Sequence, residues 1–410
     1  MVMSLGRPFR VLWSANAASN LADGVAFISM PLLAASLTDD PRLVAGLATT
    51  YALVRLLVAL PIGVWVDRID RRILLVSANL IRGLVVVALA ASVQLEVGTL
   101  QLLYGAFAVI GTMESAADNA AVSLMPSIVP HQDLDRANGR ISAAQLIADE
   151  FAGPPLGGLL FAVAIAAPMF VMGGLWAAAG FIALAIPVRR GDPSNGTDHT
   201  QRQSVFREAM QGARWLAKNK TVGGLALIGA LASVGYMLPF SILVLFAEQR
   251  LNLDGFGYGA ILSVSALGGL VGSFTTSRVR GRIGYRWTIV ASLATGGASL
   301  FALSITTNGA VAAVLLAVYI FHAVVWGICA TSIRQRLVPD ALRGRVNAAS
   351  RVLGLVGLAL GSAIGGVFAL VALPLPIAVG GAVFVCCAVL AVFVIPSAKE
   401  WSPISGTIAR

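Results

Sequence analysis

Gly63-Val64-Trp65-Val66-Asp67-Arg68-Ile69-Asp70-Arg71-Arg72 gathers five charged side chains between two apolar runs, at about 44 to 66 and about 73 to 94. A helix rising about 1.5 Å per residue crosses about 30 Å of hydrocarbon in roughly twenty residues, the length of each run. A charge costs about 2.5 to 3.5 kcal/mol at the bilayer centre and little in water. The ten residues therefore read as a loop joining two membrane-spanning helices.

The same pattern repeats outward in both directions. Apolar runs at about 11 to 37, 44 to 66, 73 to 94, 100 to 125, 140 to 166, 168 to 188, 222 to 247, 256 to 277, 287 to 306, 309 to 333, 348 to 371 and 377 to 396 predict twelve spans. Of the 410 residues 58% are hydrophobic and 12% charged, where a soluble domain carries about 25% charged residues. This composition excludes an ordinary soluble enzyme. Short outward connections such as Ala166-Ala167-Pro168 and Leu373 to Pro376 suit tight helical hairpins. A basic stretch before the first span has no small-residue cleavage site after it, so the first helix is expected to stay.

A net charge of +10 with a pI of 10.2 would suggest nucleic acid in a soluble protein. Here 24 of the 29 Lys and Arg fall on one side of the predicted topology, Arg42 and Arg250 on the other, and Arg55, Arg82 and Arg351 inside spans. That asymmetry is the positive-inside bias, which predicts cytoplasmic termini in a plasma or inner membrane and no nucleic-acid partner. Cys329, Cys386 and Cys387 lie in apolar runs, and no structural disulfide is expected.

The long polar segment from Arg189 to Lys220 splits the chain nearly in half, and the halves repeat. Val129-Pro130, Arg136 and Asn138 return 209 positions on as Val338-Pro339, Arg345 and Asn347, and Ile186-Pro187 as Ile395-Pro396. Gly153, Gly157 and Gly158 return 208 positions on as Gly361, Gly365 and Gly366. An even number of spans per half makes the repeats parallel, about an axis along the membrane normal. The expected organisation is an N-terminal six-helix bundle (1–188), a cytoplasmic central loop (189–221), a C-terminal six-helix bundle (222–396) and a cytoplasmic tail (397–410). Phe206, Met210, Ala213 and Trp215-Leu216 alternate with Arg207, Arg214 and Lys218, predicting an amphipathic helix at the cytoplasmic interface.

The 63–72 loop resembles the Gly-x-x-x-Asp-Arg-x-Gly-Arg-Arg signature of the major facilitator superfamily, with Asp70 standing where that pattern has Gly. The resemblance implies a conformation-gating role for Gly63, Asp67, Arg68, Arg71 and Arg72. In the second half Gly272 and Arg280 keep the register, while Thr276 replaces the acid. Gly153-Pro154-Pro155-Leu156-Gly157-Gly158 resembles the core of the superfamily's antiporter signature, with Asp149 in place of a preceding Gly. Met125 to Pro130, Asp133-Leu134 and Arg136-Ala137-Asn138 are similar to elements of the enterobactin-exporter-like and macrolide-efflux-like branch, a likeness covering essentially the whole chain. It implies an all-α membrane protein of two pseudo-symmetric six-helix halves, working as a monomer by alternating access.

Asp23, Glu114, Asp118, Asp149 and Glu150 are carboxylates inside predicted spans, where charge is rarely kept without use. The resemblance places the first, fourth, seventh and tenth helices around a central cavity, so Asp23, Glu114 and Asp118 would face water and substrate. Asp23 is the leading candidate to carry a proton, against a fixed pair with Arg55 or a bond to local backbone; Glu114 and Asp118 could instead pair with Arg82. Asp149 and Glu150 lie nearer the cytoplasmic end. Tyr236, Phe240, His322 and Trp326 on the seventh and tenth spans offer aromatic faces for a lipophilic or cationic cargo, or are packing residues. No phosphate-binding Gly-rich loop, metal-spaced Cys/His cluster or cofactor fingerprint occurs, so the expected energy source is a proton gradient, with no cofactor and no metal. The favoured function is a proton-coupled exporter of small amphipathic molecules. An importer working by symport or uniport, and a transport-inactive scaffold or sensor, are the alternatives.

Overall fold

The computed structural model describes residues 5–187 and 205–396, without the side chains of 59–61, 63–68, 131, 150, 205–209, 340 and 341. Asp67 and Arg68, expected to gate with Gly63, have side chains outside the described set, as do Glu150 and Phe206. Most of the central loop and the tail lie outside it too.

Every regular element among the described residues is helical. In chain order they are α1 (Gly6–Leu37), α2 (Pro41–Arg68), α3 (Arg71–Gln94), α4 (Leu100–Ile128), α5 (Leu134–Gln145), α6 (Gly153–Val163), α7 (Ala167–Ala183), α8 (Val205–Lys218), α9 (Lys220–Phe240), α10 (Leu243–Gln249), α11 (Gly255–Ile305), α12 (Gly309–Leu337), α13 (Asp340–Ala369) and α14 (Pro374–Val394). Nine helices among the described residues are long and apolar enough to cross a membrane. That number takes the 51-residue α11 as one, although Gly284, with φ 74° and ψ 173°, breaks it in two. It omits the 29-residue α4, which carries Glu114 and Asp118, and the apolar but shorter α7.

Side-chain caps set several helix starts. Asp70 accepts from the backbone N–H of Arg72 (2.8 Å) and Ile73 (3.1 Å), Asn219 from Val222 (2.9 Å), and Asn308 from Ala310 and Val311 (2.9 and 3.1 Å). Asp70 sits at φ −53°, outside the left-handed region. The position therefore does not need the glycine of the family pattern, and the acid replaces turn freedom with a helix cap. At the opposite end of the hairpin, hydrogen bonds from Arg42 hold the Asp40 carboxyl below the usual carboxylate range.

Between α5 and α6 the seven residues Leu146–Ala152 are π-helical, so the predicted fifth span is continuous but locally underwound around Asp149, with an extra residue in the turn. The predicted seventh span is broken between α9 and α10, after Pro239.

The chain forms two compact units. Among the described residues the first comprises 5–39, 53–187 and 253–263, and the second 40–52, 205–252 and 264–396. Each thus includes a short helix start contributed by the other half of the sequence. In the first, α1, α3, α4 and α7 pack around Leu12, Ile62, Leu75, Ala116, Ala120 and Ala183.

The glycine repeat has a packing cause. In the first unit a Cβ on Gly153 would stand 2.5 Å from Gly24 Cα, one on Gly157 2.9 Å from the Val25 carbonyl oxygen, and one on Gly158 3.3 Å from Gly259 Cα. In the second unit the equivalents meet Val234 Cα (2.9 Å from Gly361), the Leu238 oxygen (2.6 Å from Gly365) and Ala45 Cβ (2.9 Å from Gly366). Two glycines of each copy admit the first spanning helix of their own half; the third admits the borrowed helix start. Backbones approach this closely only where a side chain is missing.

The C-terminal part of the apolar face of α8 packs on protein, while Met210 and Ala213 are exposed. Leu216 is buried with Val222, Ala226, Val338, Val346 and Ala349, Trp215 packs on the same cluster, and Gln211 Oε1 accepts from Arg345 Nη1 at 2.7 Å. Arg214 and Lys218 remain exposed.

Candidate functional site

The first unit holds a buried polar node built from three helices. On α1, Ser19 and Asp23 are one turn apart and share a face, as do Asn79 and Arg82 on α3. Arg82, 1% exposed, donates from Nη1 to Asp23 Oδ1 (2.8 Å) and from Nη2 to Ser19 Oγ (2.7 Å) and Asn79 Oδ1 (2.6 Å). The Asn79 amide is oriented by its own bond to the Leu75 carbonyl oxygen, 2.9 Å. From α7, the fully buried Trp176 donates its indole N–H to the same Asp23 oxygen at 3.2 Å, and its ring lies 4.9 Å from the Arg82 Cζ. Asp23 Oδ1 therefore takes two donors, while Oδ2 makes no hydrogen bond among the described residues. The Asp23 side chain is 18% exposed.

A second pair lies beside it. Arg55 Nη1 on α2 meets Glu114 Oε1 on α4 at 3.1 Å, with side chains 22% and 15% exposed. One turn on, Asp118 is exposed. Glu114 and Asp118 both lie within electrostatic reach of Asp23. Asp118 also lines a cavity of about 10 Å³ with Asn16, Ser19 and Asn79, the space of about one water molecule.

The partners differ from those weighed from sequence. Arg55 holds Glu114 rather than Asp23, and Arg82 holds Asp23 rather than Glu114. Both pairs join residues 59 apart. Alternate helices run in the same direction, so groups at equal depth are separated by one helical hairpin.

These charges belong to one half only. At the 209-position shift Arg82, Asn79, Glu114, Asp118, Trp176 and Arg55 correspond to Ala291, Thr288, Ala323, Gly327, Val385 and Val264. The duplication kept the glycine seams in both copies and the buried ionic node in one.

In the second unit the aromatic candidates separate. Tyr236 and Phe240, both half-buried, stack at 4.4 Å and reach Tyr319 at 6.3 and 5.8 Å. His322 is 1% exposed, its Nδ1 against the Tyr319 carbonyl oxygen and its ring 4.8 Å from Phe384. A Cβ on Gly296 would stand 2.5 Å from the His322 ring. His322 is thus interior packing, whereas Trp326, one turn on, is half-buried. Sequence reasoning passed over Tyr319, Phe384, Trp176, Ser19 and Asn79. Ser19 and Asn79 carried a signal, being polar one turn from a buried charge; Trp176, Tyr319 and Phe384 carried none.

The described part of the charged loop braces helix ends. Arg71 Nη1 donates to the Ser123 carbonyl oxygen on α4 at 3.0 Å, and Arg72 Nη2 to that of Leu184 at the end of α7. In the second half Thr276, in the acid's place, is buried and donates to its own helix at Gly272 O, 2.6 Å. All three cysteines are free. The described residues hold no group of three or more His, Cys, Asp or Glu suited to a metal ion.

Helical structure throughout the described elements, with apolar spans, a duplicated glycine seam and intramembrane ion pairs, defines a polytopic membrane protein. A model of the Major Facilitator Superfamily matches residues 12–240 and 225–407, and the chain belongs to that family. It is 26% identical over 364 residues to the enterobactin exporter EntS of Shigella boydii serotype 4 (strain Sb227), covering 87% of this chain and 84% of that protein. It is equally similar, over the same span, to EntS of Escherichia coli O6:K15:H31 (strain 536 / UPEC). Among solved structures it shares its fold with a bacterial homologue of the iron transporter ferroportin, at TM-score 0.76, 17% identity and coverage of 96% of this chain and 99% of that one. The nucleoside transporter NupG gives TM-score 0.69, 14% identity, and coverage of 96% and 97%.

Proposed function

We propose that this chain is a twelve-helix secondary transporter of the inner membrane, both termini cytoplasmic, that exports small amphipathic molecules in exchange for protons by alternating access. The observation that carries the reading is the Asp23–Arg82 pair with the neighbouring Glu114 and Asp118, carboxylates whose positions in the second half are Ala232, Ala323 and Gly327. Asp118 is exposed on the face of a spanning helix. Since a carboxylate against lipid costs several kcal/mol, that face is best served by water. Similarity to an enterobactin exporter supports outward transport of a molecule of siderophore or drug size.

Asp23 is suited to proton coupling by the asymmetry of its two oxygens. Oδ1 is held by Arg82 and Trp176, and a proton can enter on Oδ2 without displacing either donor. Once Asp23 is neutral, Arg82 retains the oxygens of Ser19 and Asn79 but loses its counter-charge. The freed positive field then acts on the cavity-side acids Glu114 and Asp118, so proton entry alters how a cationic or hydrogen-bonding cargo is held.

The test is a sensitivity panel of drugs and catecholate siderophores on a deletion strain complemented with wild type, Asp23→Asn or Asp118→Asn. Export by this site gives wild-type rescue and none from Asp23→Asn at equal membrane abundance. Uptake of a nutrient with no change in sensitivity would replace the exporter reading by an importer.

A further inference from the structure

The second copy of the charged loop has lost its acid but gained an arginine cluster, and the proton and substrate reading has no use for it. Gly284, in the left-handed region at φ 74°, turns the chain at the end of the first helix of α11, bringing Tyr285 back beside Arg280. Arg280 Nη1 donates to Tyr285 Oη at 2.9 Å, and its Cζ lies 5.1 Å from the Tyr285 ring. From the last turn of α12, Arg336 places its Cζ 5.4 Å from the same ring. Two guanidinium groups therefore flank one aromatic ring. Next in sequence, Arg286 lies 5.8 Å from the Trp287 ring, and its Nε–H is buried without an acceptor.

Among the described residues none of Arg280, Arg286 or Arg336 has a carboxylate partner. Like charges held together repel, and a buried N–H left unpaired is costly, so the cluster is complete only with an anion. Its depth says which kind. On the same helix Leu267, Val271 and Phe274 form an exposed apolar stripe ending at Arg278, and Trp287 is 55% exposed beside the cluster. An exposed tryptophan where an apolar stripe ends marks the headgroup level of a bilayer.

We propose that Arg280 and Arg336, on the ring of Tyr285, with Arg286 next in sequence over Trp287, form a site for the phosphate of an anionic phospholipid headgroup. Arginine presents paired N–H donors suited to phosphate oxygens, which lysine does not, and every cation of the cluster is an arginine. The site is independent of transport direction and coupling ion, so it stands or falls apart from the proposed function.

The experiment is thermal unfolding of the purified full-length chain in detergent, with added phosphatidylglycerol, phosphatidylcholine or inorganic phosphate. Phosphatidylglycerol should raise the melting temperature, in a salt-sensitive way, while the other two leave it unchanged. In Arg280→Gln/Arg336→Gln the lipid-induced rise should fall by roughly twofold or more. In Arg7→Gln/Arg10→Gln, which removes the same charge from exposed positions, the rise should persist. Equal loss in both double variants would mean diffuse attraction to a basic surface and overturn the site. An equal rise with inorganic phosphate would overturn the lipid assignment. The side chain of Asp340 lies outside the described set, four residues beyond Arg336; a lipid response that grows markedly in Asp340→Asn would make that acid the native partner and also overturn the proposal.

Discussion

Replacing Arg82 by leucine removes the one cation among the described residues that reaches Asp23 Oδ1, together with the donors to Ser19 Oγ and Asn79 Oδ1. At 1% exposure for Arg82 and 18% for Asp23, water offers little compensation. Breaking a buried ion pair from one side costs about 3 to 5 kcal/mol, because the remaining charge is stranded. Removing both charges, in Asp23→Leu/Arg82→Leu, strands none. It leaves Trp176 without its acceptor and two side-chain oxygens without a donor, at about 1 to 3 kcal/mol per buried group before local rearrangement. The double variant should therefore be more stable than Arg82→Leu alone by about 2 kcal/mol, and the two single effects should be far from additive, as for residues in direct contact. Reversible unfolding in mixed micelles, followed by tryptophan fluorescence and with Asp23→Leu completing the cycle, measures it. Additive effects, or a double variant worse than either single, would refute the ion pair as drawn.

Three further outcomes are expected. Gly153→Ala places a Cβ 2.5 Å from Gly24 Cα and should cost about 1 to 3 kcal/mol or more in the same assay, whereas Gly105→Ala, with nothing within 4 Å, should be neutral or mildly stabilising. Asp70→Ala should cost about 1 kcal/mol through loss of the α3 cap, and Asp70→Gly, the family residue, only a few tenths, as unfolding midpoints will show. Arg55→Gln should weaken the part-exposed pair with Glu114 and destabilise by less than Arg82→Leu does.

The spans, their hairpins and the duplication were legible because each rests on one-dimensional facts: apolar length, charge at helix ends and fixed offsets between glycines. The glycine offsets even carried the packing, since Gly153, Gly157 and Gly158 and their copies do the same work in each unit. Helix rotation is not one-dimensional. Sequence gave Asp23 and Arg55 similar depth on adjacent helices, but the bond is set by which way each face turns, and Arg82 on the next parallel helix turns toward Asp23. His322 and Trp326 share a helical face by spacing, yet Gly296 opposite His322 lets that ring sink into the interior. The Leu146–Ala152 π-helix escaped too, since one extra residue in a turn leaves the apolar pattern nearly unchanged.

Proton movement through Asp23 is the claim on which the transport account rests. Inverted membrane vesicles given an exported dye in the outside medium, with an imposed pH gradient, read it directly. Wild type should accumulate dye in proportion to the gradient, and Asp23→Asn, inserted at equal abundance, should bind dye but lose the gradient dependence. Full gradient-driven accumulation by Asp23→Asn would contradict the account and leave the Asp23–Arg82 pair a fixed brace.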